Sequence, residues 1–138
     1  MTERLFSADK SALSDALGFV EEELEKNGCP MKTAMQLTIA IEEMFANIVN
    51  YAYPDGEGSI RLSVDFPDSE KAVVFQIADK GIPFDPLQKP DPDITLSAKE
   101  RQIGGLGIYM MKQTMDSVHY AYINGENILT MKKILKEF

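Results

Sequence analysis

The chain has 138 residues, of which 44% are hydrophobic and 26% are charged, as is usual for one globular domain. The formal net charge of −8 argues against a general nucleic-acid-binding protein, because phosphate contacts require clustered Lys and Arg side chains. No apolar run is long enough to span a membrane, and the lone Cys29 cannot form a disulfide within the chain. We therefore expect one cytoplasmic domain over residues 1–138, with no membrane partner and no direct nucleic-acid partner.

The first part of the chain predicts a short strand and two helices. The strand is expected over residues 2–6, and apolar residues at helical spacing predict a first helix that ends near Asn27. A longer second helix is expected over residues 31–53, with apolar side chains around most of its circumference. It keeps one polar stripe, which consists of Gln36, Glu43, Asn47 and Asn50. A mostly buried helix with such a stripe faces either water or a polar cavity.

The rest of the chain alternates between strand, loop and helix patterns. The predicted elements are strands at 59–66 and 72–78, a proline-rich lid at 82–103, a helix at 106–116, and a hairpin with strands at 118–123 and 128–135. The hairpin is expected to turn across residues 124–127, where Asn-Gly is a strong turn signal. Because helices and strands come in blocks, we predict an α+β fold, a two-layer α/β sandwich with a mainly antiparallel, mixed sheet and helices on one face.

Three separated motifs contain the residues best suited to chemistry. Glu43 and Asn47 are four residues apart on a predicted helix, so their side chains are neighbours about 6 Å apart along the axis. A carboxylate can accept a proton and an amide oxygen can bind Mg²⁺, whereas the alternative is a solvated helix face. Asp79 ends an apolar strand beside Gly81. There it can accept a hydrogen bond from an adenine amino group, or simply belong to an ordinary turn.

The third motif is a cluster of glycines, Gly104, Gly105 and Gly107, at the start of a predicted helix. The first N–H groups of a helix lack internal partners, so phosphate oxygens can bind there, and a flexible hinge without a ligand is the alternative. The motif is not a dinucleotide fingerprint, because a proline-rich segment precedes it where a strand is required. It is not a P-loop, because no Gly-Lys-Ser/Thr follows it.

Together the three motifs resemble the conserved boxes of the GHKL ATPase superfamily, which has the Bergerat ATP-binding fold and includes gyrase, heat-shock chaperone, histidine kinase and mismatch-repair ATPases. Residues 42–53, 79–86 and 104–111 are most similar to the anti-sigma-factor serine/threonine kinases within that superfamily. The resemblance covers roughly residues 6–135. It implies ATP and Mg²⁺ as cofactors.

The resemblance also implies residue roles. Glu43 matches the general base and Asn47 the Mg²⁺ ligand, while Asp79 matches the acceptor of the adenine amino group and Gly81 supports the adenine. The resemblance further places Gly105 and Gly107 beneath the phosphates, Arg101 at the γ-phosphate, and Thr130 near Asp79 through a water molecule. One departure is Pro83, which stands where the superfamily has a glycine and removes an N–H from the lid.

The resulting hypothesis is an ATP- and Mg²⁺-dependent serine/threonine kinase that phosphorylates a small antagonist protein and, by family analogy, sequesters a sigma factor. Phosphoryl transfer asks a protein mainly for positioning and charge neutralisation, so one base, one metal ligand and a helix terminus suffice. The resemblance is also compatible with a homodimer. The alternatives are a nucleotide-gated binding module without kinase activity and a slow ATPase component of a larger sensory assembly.

Overall fold

The computed structural model describes residues 1–88 and 105–135, which form a layer of helices on one face of an antiparallel sheet. The elements are β1 (Thr2–Ser7), α1 (Leu13–Lys26), α2 (Met31–Tyr51), β2 (Ser59–Asp65), β3 (Ala72–Asp79), α3 (Gly105–Thr114), β4 (Ser117–Ile123) and β5 (Glu126–Ile134). Short 3₁₀ turns lie at Lys10–Ala12 and Pro86–Gln88. The predicted α+β sandwich with helices on one face is confirmed, and the described sheet is wholly antiparallel rather than mixed.

The five strands of the described residues lie in the order β1-β2-β3-β5-β4, and each neighbouring pair is antiparallel. Alternate residues of each strand enter the core beneath the helices, as pleating requires. In β3 the inward set is Val73, Phe75, Ile77 and Asp79, all of them buried. Asp79, the polar residue that ends this set, therefore lies on the helix side of the sheet, next to α2.

The hairpin between β4 and β5 is tighter than the predicted turn over residues 124–127. Its loop has two residues, Asn124 and Gly125, with φ angles of 53° and 80°. Positive φ at both positions is what a two-residue hairpin turn of type I′ requires, and the twist of this turn matches that of the strands. As a result β5 begins at Glu126, and Asn127 becomes a strand residue directly opposite Asp79 of β3. The predicted boundary of this strand at residue 128 was wrong.

The other boundaries differ from prediction by a few residues. The second helix ends at Tyr51 rather than near residue 53, and α3 begins at Gly105 rather than at residue 106. Of the proline-rich segment predicted as a lid, the structure describes only the part up to Gln88. Arg101 and Gly104 lie outside the described residues. Among the described helices, none has both the length and the apolar character needed to cross a membrane.

Candidate functional site

A narrow, mainly apolar cavity lies between the C-terminal half of α2 and the ends of β3 and β5. Its volume is about 40 Å³. Apolar side chains that line it include Met44, Ile48, Ile77, Phe84 and Leu129. The polar side chains that reach it include Asn47, Asp79, Tyr120 and Asn127. Two of the predicted site residues, Asn47 and Asp79, are therefore brought to the same cavity.

Asp79 is 5% exposed and is held by two hydrogen bonds from described residues. Its Oδ1 accepts from the Gly81 N–H at 2.9 Å and from Asn127 Nδ2 at 3.0 Å. Burial raises the pKa of Asp79 above its ordinary value, and the bonds from Asn127 and Gly81 offset part of that rise. Because both described donors use Oδ1, Oδ2 is the oxygen that can accept a bond from a donor in the cavity.

Asn127 is the residue that the sequence analysis missed. The residue is 6% exposed, and its Nδ2 also donates to the Ile82 carbonyl at 2.9 Å. Its Oδ1 accepts from the Phe84 N–H at 3.0 Å and from the Tyr120 hydroxyl. One amide thus joins β3, β4, β5 and the segment after β3. A two-residue interpretation of the Asn-Gly turn would have placed Asn127 in the strand opposite β3.

Thr130 was expected near Asp79, and the structure does not bring them together. Thr130 pairs with Gln76 across β3 and β5, and its hydroxyl accepts from Gln76 Nε2 at 3.2 Å. Side chains alternate between the two faces of a strand, so Thr130 lies on the face opposite to Leu129 and Asp79. The side chain that contacts Asp79 from β5 is that of Asn127.

A second cavity, of about 190 Å³, lies farther along the same side of α2. It is lined by Glu43, Asn47, Asn50 and Gly107 among others, so Asn47 borders both cavities. Gly107 packs tightly there, since a Cβ atom added to it would lie 2.3 Å from Glu43 Oε2. The first turn of α3, which begins at Gly105, therefore lies against Glu43. Three residues of the polar stripe of α2, Glu43, Asn47 and Asn50, line these cavities, whereas Gln36 is exposed and lines neither.

Gly81 has a packing reason to be glycine. An added Cβ atom would lie 2.2 Å from the Ala52 carbonyl oxygen, which also accepts a hydrogen bond from the Ile82 N–H at 2.9 Å. The Tyr53 hydroxyl accepts from the Lys80 N–H at 2.8 Å, so two consecutive residues after α2 anchor the segment after β3. These contacts fix Asp79 relative to α2. The expected contact of Gly81 with an adenine ring stays a prediction.

The side chains around the second cavity can supply only part of the coordination shell of a Mg²⁺ ion. Within residues 1–88 and 105–135, no group of three or more His, Cys, Asp or Glu side chains is placed to hold a metal ion. Mg²⁺ commonly takes one or two protein ligands and completes its octahedral shell with water and substrate phosphates. The Asn47 side chain, which borders both cavities, fits such a single-ligand site.

Comparison with known proteins identifies the family. The family of histidine kinase-like ATPase domains matches this chain over residues 6–133. The chain belongs to that family. This matches the resemblance drawn from the three motifs, and the α+β fold is the one that such relatives share.

Two similar curated relatives of this ATPase domain are named as protein kinases. The serine/threonine-protein kinase BtrW of Bordetella bronchiseptica is 27% identical over 125 residues, covering 91% of this chain and 87% of the relative. The serine-protein kinase RsbW of Bacillus thuringiensis is 28% identical over 131 residues, covering 92% of this chain and 74% of the relative.

Solved structures support the fold. The RsbU and RsbW domains of a Mycobacterium tuberculosis protein align with a TM-score of 0.64 at 14% identity, over all of this chain but only 34% of the other. A histidine kinase domain of a blue-light-activated kinase from Erythrobacter litoralis aligns with a TM-score of 0.57 at 15% identity, over 89% of this chain and 61% of the other. The chain thus spans about a third and three-fifths of these two proteins.

Proposed function

We propose that this ATPase-family domain is an ATP- and Mg²⁺-dependent serine/threonine protein kinase of the cytoplasm, which phosphorylates a small antagonist protein and acts as an anti-sigma factor or switch. The names of its curated relatives support kinase activity. The observation on which the proposal rests is the placement of Asn47, which borders both the cavity of Asp79 and the cavity of Glu43. A nucleotide that spans the two cavities would contact all three residues.

The cavity of Asp79 suits an adenine ring. Its walls are mainly apolar, and Asp79 Oδ2 can accept a hydrogen bond from the adenine amino group. The volume of about 40 Å³ is well below the ~300–1,000 Å³ of typical small-molecule sites. Binding of a nucleotide would therefore require the cavity to widen, and in the wall formed by Ile82, Phe84 and Pro86 we expect movement at Phe84 and Pro86, because Ile82 is bonded to Ala52. Asn127 bonds the backbone of this wall at Ile82 and Phe84, so it controls how far the wall can move.

The phosphates would extend from the adenine cavity towards the N-terminal end of α3. The first N–H groups of a helix lack partners within the helix and carry a partial positive charge, which would offset the acidity of the protein. Gly105 and Gly107 are small enough for close phosphate contact, and Arg101 is proposed to contact the γ-phosphate. Mg²⁺, held on the protein side by Asn47, would neutralise phosphate charge.

Glu43 would serve as the general base. In the transfer step, the hydroxyl oxygen of the substrate serine or threonine bonds to the γ-phosphorus, its proton passes to the Glu43 carboxylate, and ADP leaves. The absence of a side chain at Gly107 leaves room for the Glu43 carboxylate beside the first turn of α3, because an added Cβ atom would lie 2.3 Å from Glu43 Oε2. The chain would therefore supply positioning, a proton acceptor and a site for the metal, as phosphoryl transfer requires.

Two measurements test the proposal. The midpoint temperature of thermal unfolding should rise when Mg²⁺-ATP is added. At a hundredfold excess over Kd, Mg²⁺-ATP should add roughly 2.7 kcal/mol to the free energy of unfolding, and ATP without metal should add less. The wild-type protein should then transfer label from radiolabelled ATP to a candidate antagonist protein, and the Glu43→Gln variant should not. The wild-type protein and the variant should bind Mg²⁺-ATP equally. Equal labelling by Glu43→Gln would disprove the base assignment. Nucleotide binding without any transfer would instead identify a nucleotide-gated binding module.

A further inference from the structure

A larger groove, away from the proposed nucleotide site, lies between the C-terminal part of α1 and the N-terminal half of α2. Its volume is about 650 Å³. We call it the α1–α2 groove. Its apolar lining includes Met31, Met35 and Ile39, and its acidic lining is Glu21, Glu25 and Glu42. None of these six residues takes part in the proposed phosphoryl transfer.

The apolar side chains of the α1–α2 groove form one exposed row on α2. Met31, Met35 and Ile39 are 79%, 60% and 47% exposed and are spaced four residues apart. This spacing places them on one face of the helix, in a row about 12 Å long. Exposed apolar side chains grouped in this way are typical of a binding surface, and methionines adapt readily to the shape of a partner.

The charge around this row is negative. Glu21 and Glu25 project from α1 on one side, and Glu42 lies at the far end of the groove on α2. The nearby cation Lys26 forms ion pairs with Glu22 and Glu23, at 3.5 Å and 3.3 Å. Lys32 is exposed in the first turn of α2 but does not line the groove. The apolar row is therefore flanked by carboxylates that attract positive charge.

We propose that the α1–α2 groove is a docking surface for a basic amphipathic helix of a partner protein. A helix of two to three turns with an apolar stripe would cover the row, and Lys or Arg side chains at its edges would meet the three carboxylates. A second copy of this groove would bring like charges together, and anionic lipid headgroups would be repelled by the same rim. The surface itself leads to this proposal, which does not depend on kinase activity.

The position of the groove also matters for the proposed site. Ile39 precedes Glu43 by four residues on α2, about 6 Å along the helix axis. A partner docked in the groove would therefore lie one helical turn from Glu43.

The test uses a fluorescein-labelled peptide of about 18 residues, with a leucine stripe flanked by lysines, and fluorescence anisotropy at low and physiological salt. We expect the Met35→Ala/Ile39→Ala variant to raise the Kd roughly tenfold. Glu25→Gln should raise the Kd less and reduce its salt dependence. The controls at exposed positions outside the groove are Ile134→Ala, which shortens one apolar side chain, and Asp68→Asn, which removes one negative charge. Thermal melting checks that every variant is folded.

Cys29 provides an independent readout, because it lines the α1–α2 groove and is the single cysteine of the chain. Burial raises the pKa of the Cys29 thiol, so alkylation is followed by mass spectrometry at about pH 9. Bound peptide should slow the alkylation several-fold. The proposal is overturned if a scrambled peptide of equal charge binds as tightly or if the control variants weaken binding equally. It is also overturned if Met35→Ala/Ile39→Ala dissociates a dimer of this chain or abolishes binding to zwitterionic vesicles.

Discussion

Replacing Asn127 by Asp tests the centre of the proposed adenine cavity with almost no change in shape. The substitution removes the Nδ2 donor that bonds Asp79 Oδ1 at 3.0 Å and the Ile82 carbonyl at 2.9 Å. It also places a second carboxyl group directly against a buried one. The bonds that Asn127 Oδ1 accepts from Phe84 and Tyr120 can persist, so the effect is confined to the two bonds that Nδ2 donates and to the new carboxyl pair.

The magnitude follows from three contributions. The lost bond to the Ile82 carbonyl costs about 1 kcal/mol, and the lost bond to the charged Asp79 costs about 1.5–3 kcal/mol. Repulsion between the two carboxylates adds up to about 4 kcal/mol at an effective dielectric constant of 20, until the pair takes up a proton. Since these contributions are not fully additive, we expect a loss of about 4–6 kcal/mol at pH 8, out of a typical total of about 5–15 kcal/mol.

The pH dependence has a definite sign. Burial already raises the pKa of Asp79. In Asn127→Asp a second carboxylate lies beside it, and repulsion between the two raises the pKa of the pair further above the ordinary value. The folded state then binds more protons than the unfolded chain at intermediate pH, so its stability increases as the pH falls towards about 4. We therefore expect the difference from wild type to be smaller at pH 5.5 than at pH 8.

The assay is urea unfolding of both proteins at the two pH values. The control is Asn124→Asp, the same chemical change in the exposed turn of the same hairpin, where Asp tolerates a positive φ. It should change the free energy of unfolding by less than about 0.5 kcal/mol. If Asn127→Asp behaved like this control at both pH values, Asn127 would not hold Asp79 in place.

The remaining predictions concern the glycines and the metal ligand. Gly81→Ala should lower the free energy of unfolding by about 3 kcal/mol, because the added Cβ would overlap a backbone carbonyl. Gly18→Ala, which adds a Cβ in open space on a helix, should raise the free energy of unfolding by about 0.5–1 kcal/mol. Equal effects of the two substitutions in urea unfolding would contradict this prediction. Gly107→Ala should displace the Glu43 carboxylate and slow phosphoryl transfer at least about tenfold with little change in Tm, and a wild-type rate would refute it. Asn47→Ala should weaken ATP binding roughly tenfold in Mg²⁺ but little in EDTA, as calorimetry can show.

Local patterns in the sequence predicted most of the elements and the helix that carries the site. Glu43 and Asn47 are neighbours because a helix repeats every 3.6 residues, and this holds wherever the helix packs. Asp79 was likewise predicted to end an apolar strand, and in the structure it follows three buried inward-facing residues of β3. The three motifs identified the ATPase family, and the match over residues 6–133 confirmed it.

Only the tertiary structure decided which side chains meet. Whether Asn127 or Thr130 lies on the same face of the sheet as Asp79 depends on the register of β5 against β3, since a slip of one residue turns every side chain to the other face. The close approach of Gly81 to Ala52, and the exposure of Met31 and Met35 in the α1–α2 groove, depend on how separate elements pack. Periodicity along a chain specifies which face of an element is apolar, while the contacts between elements are set by register and packing across the whole fold.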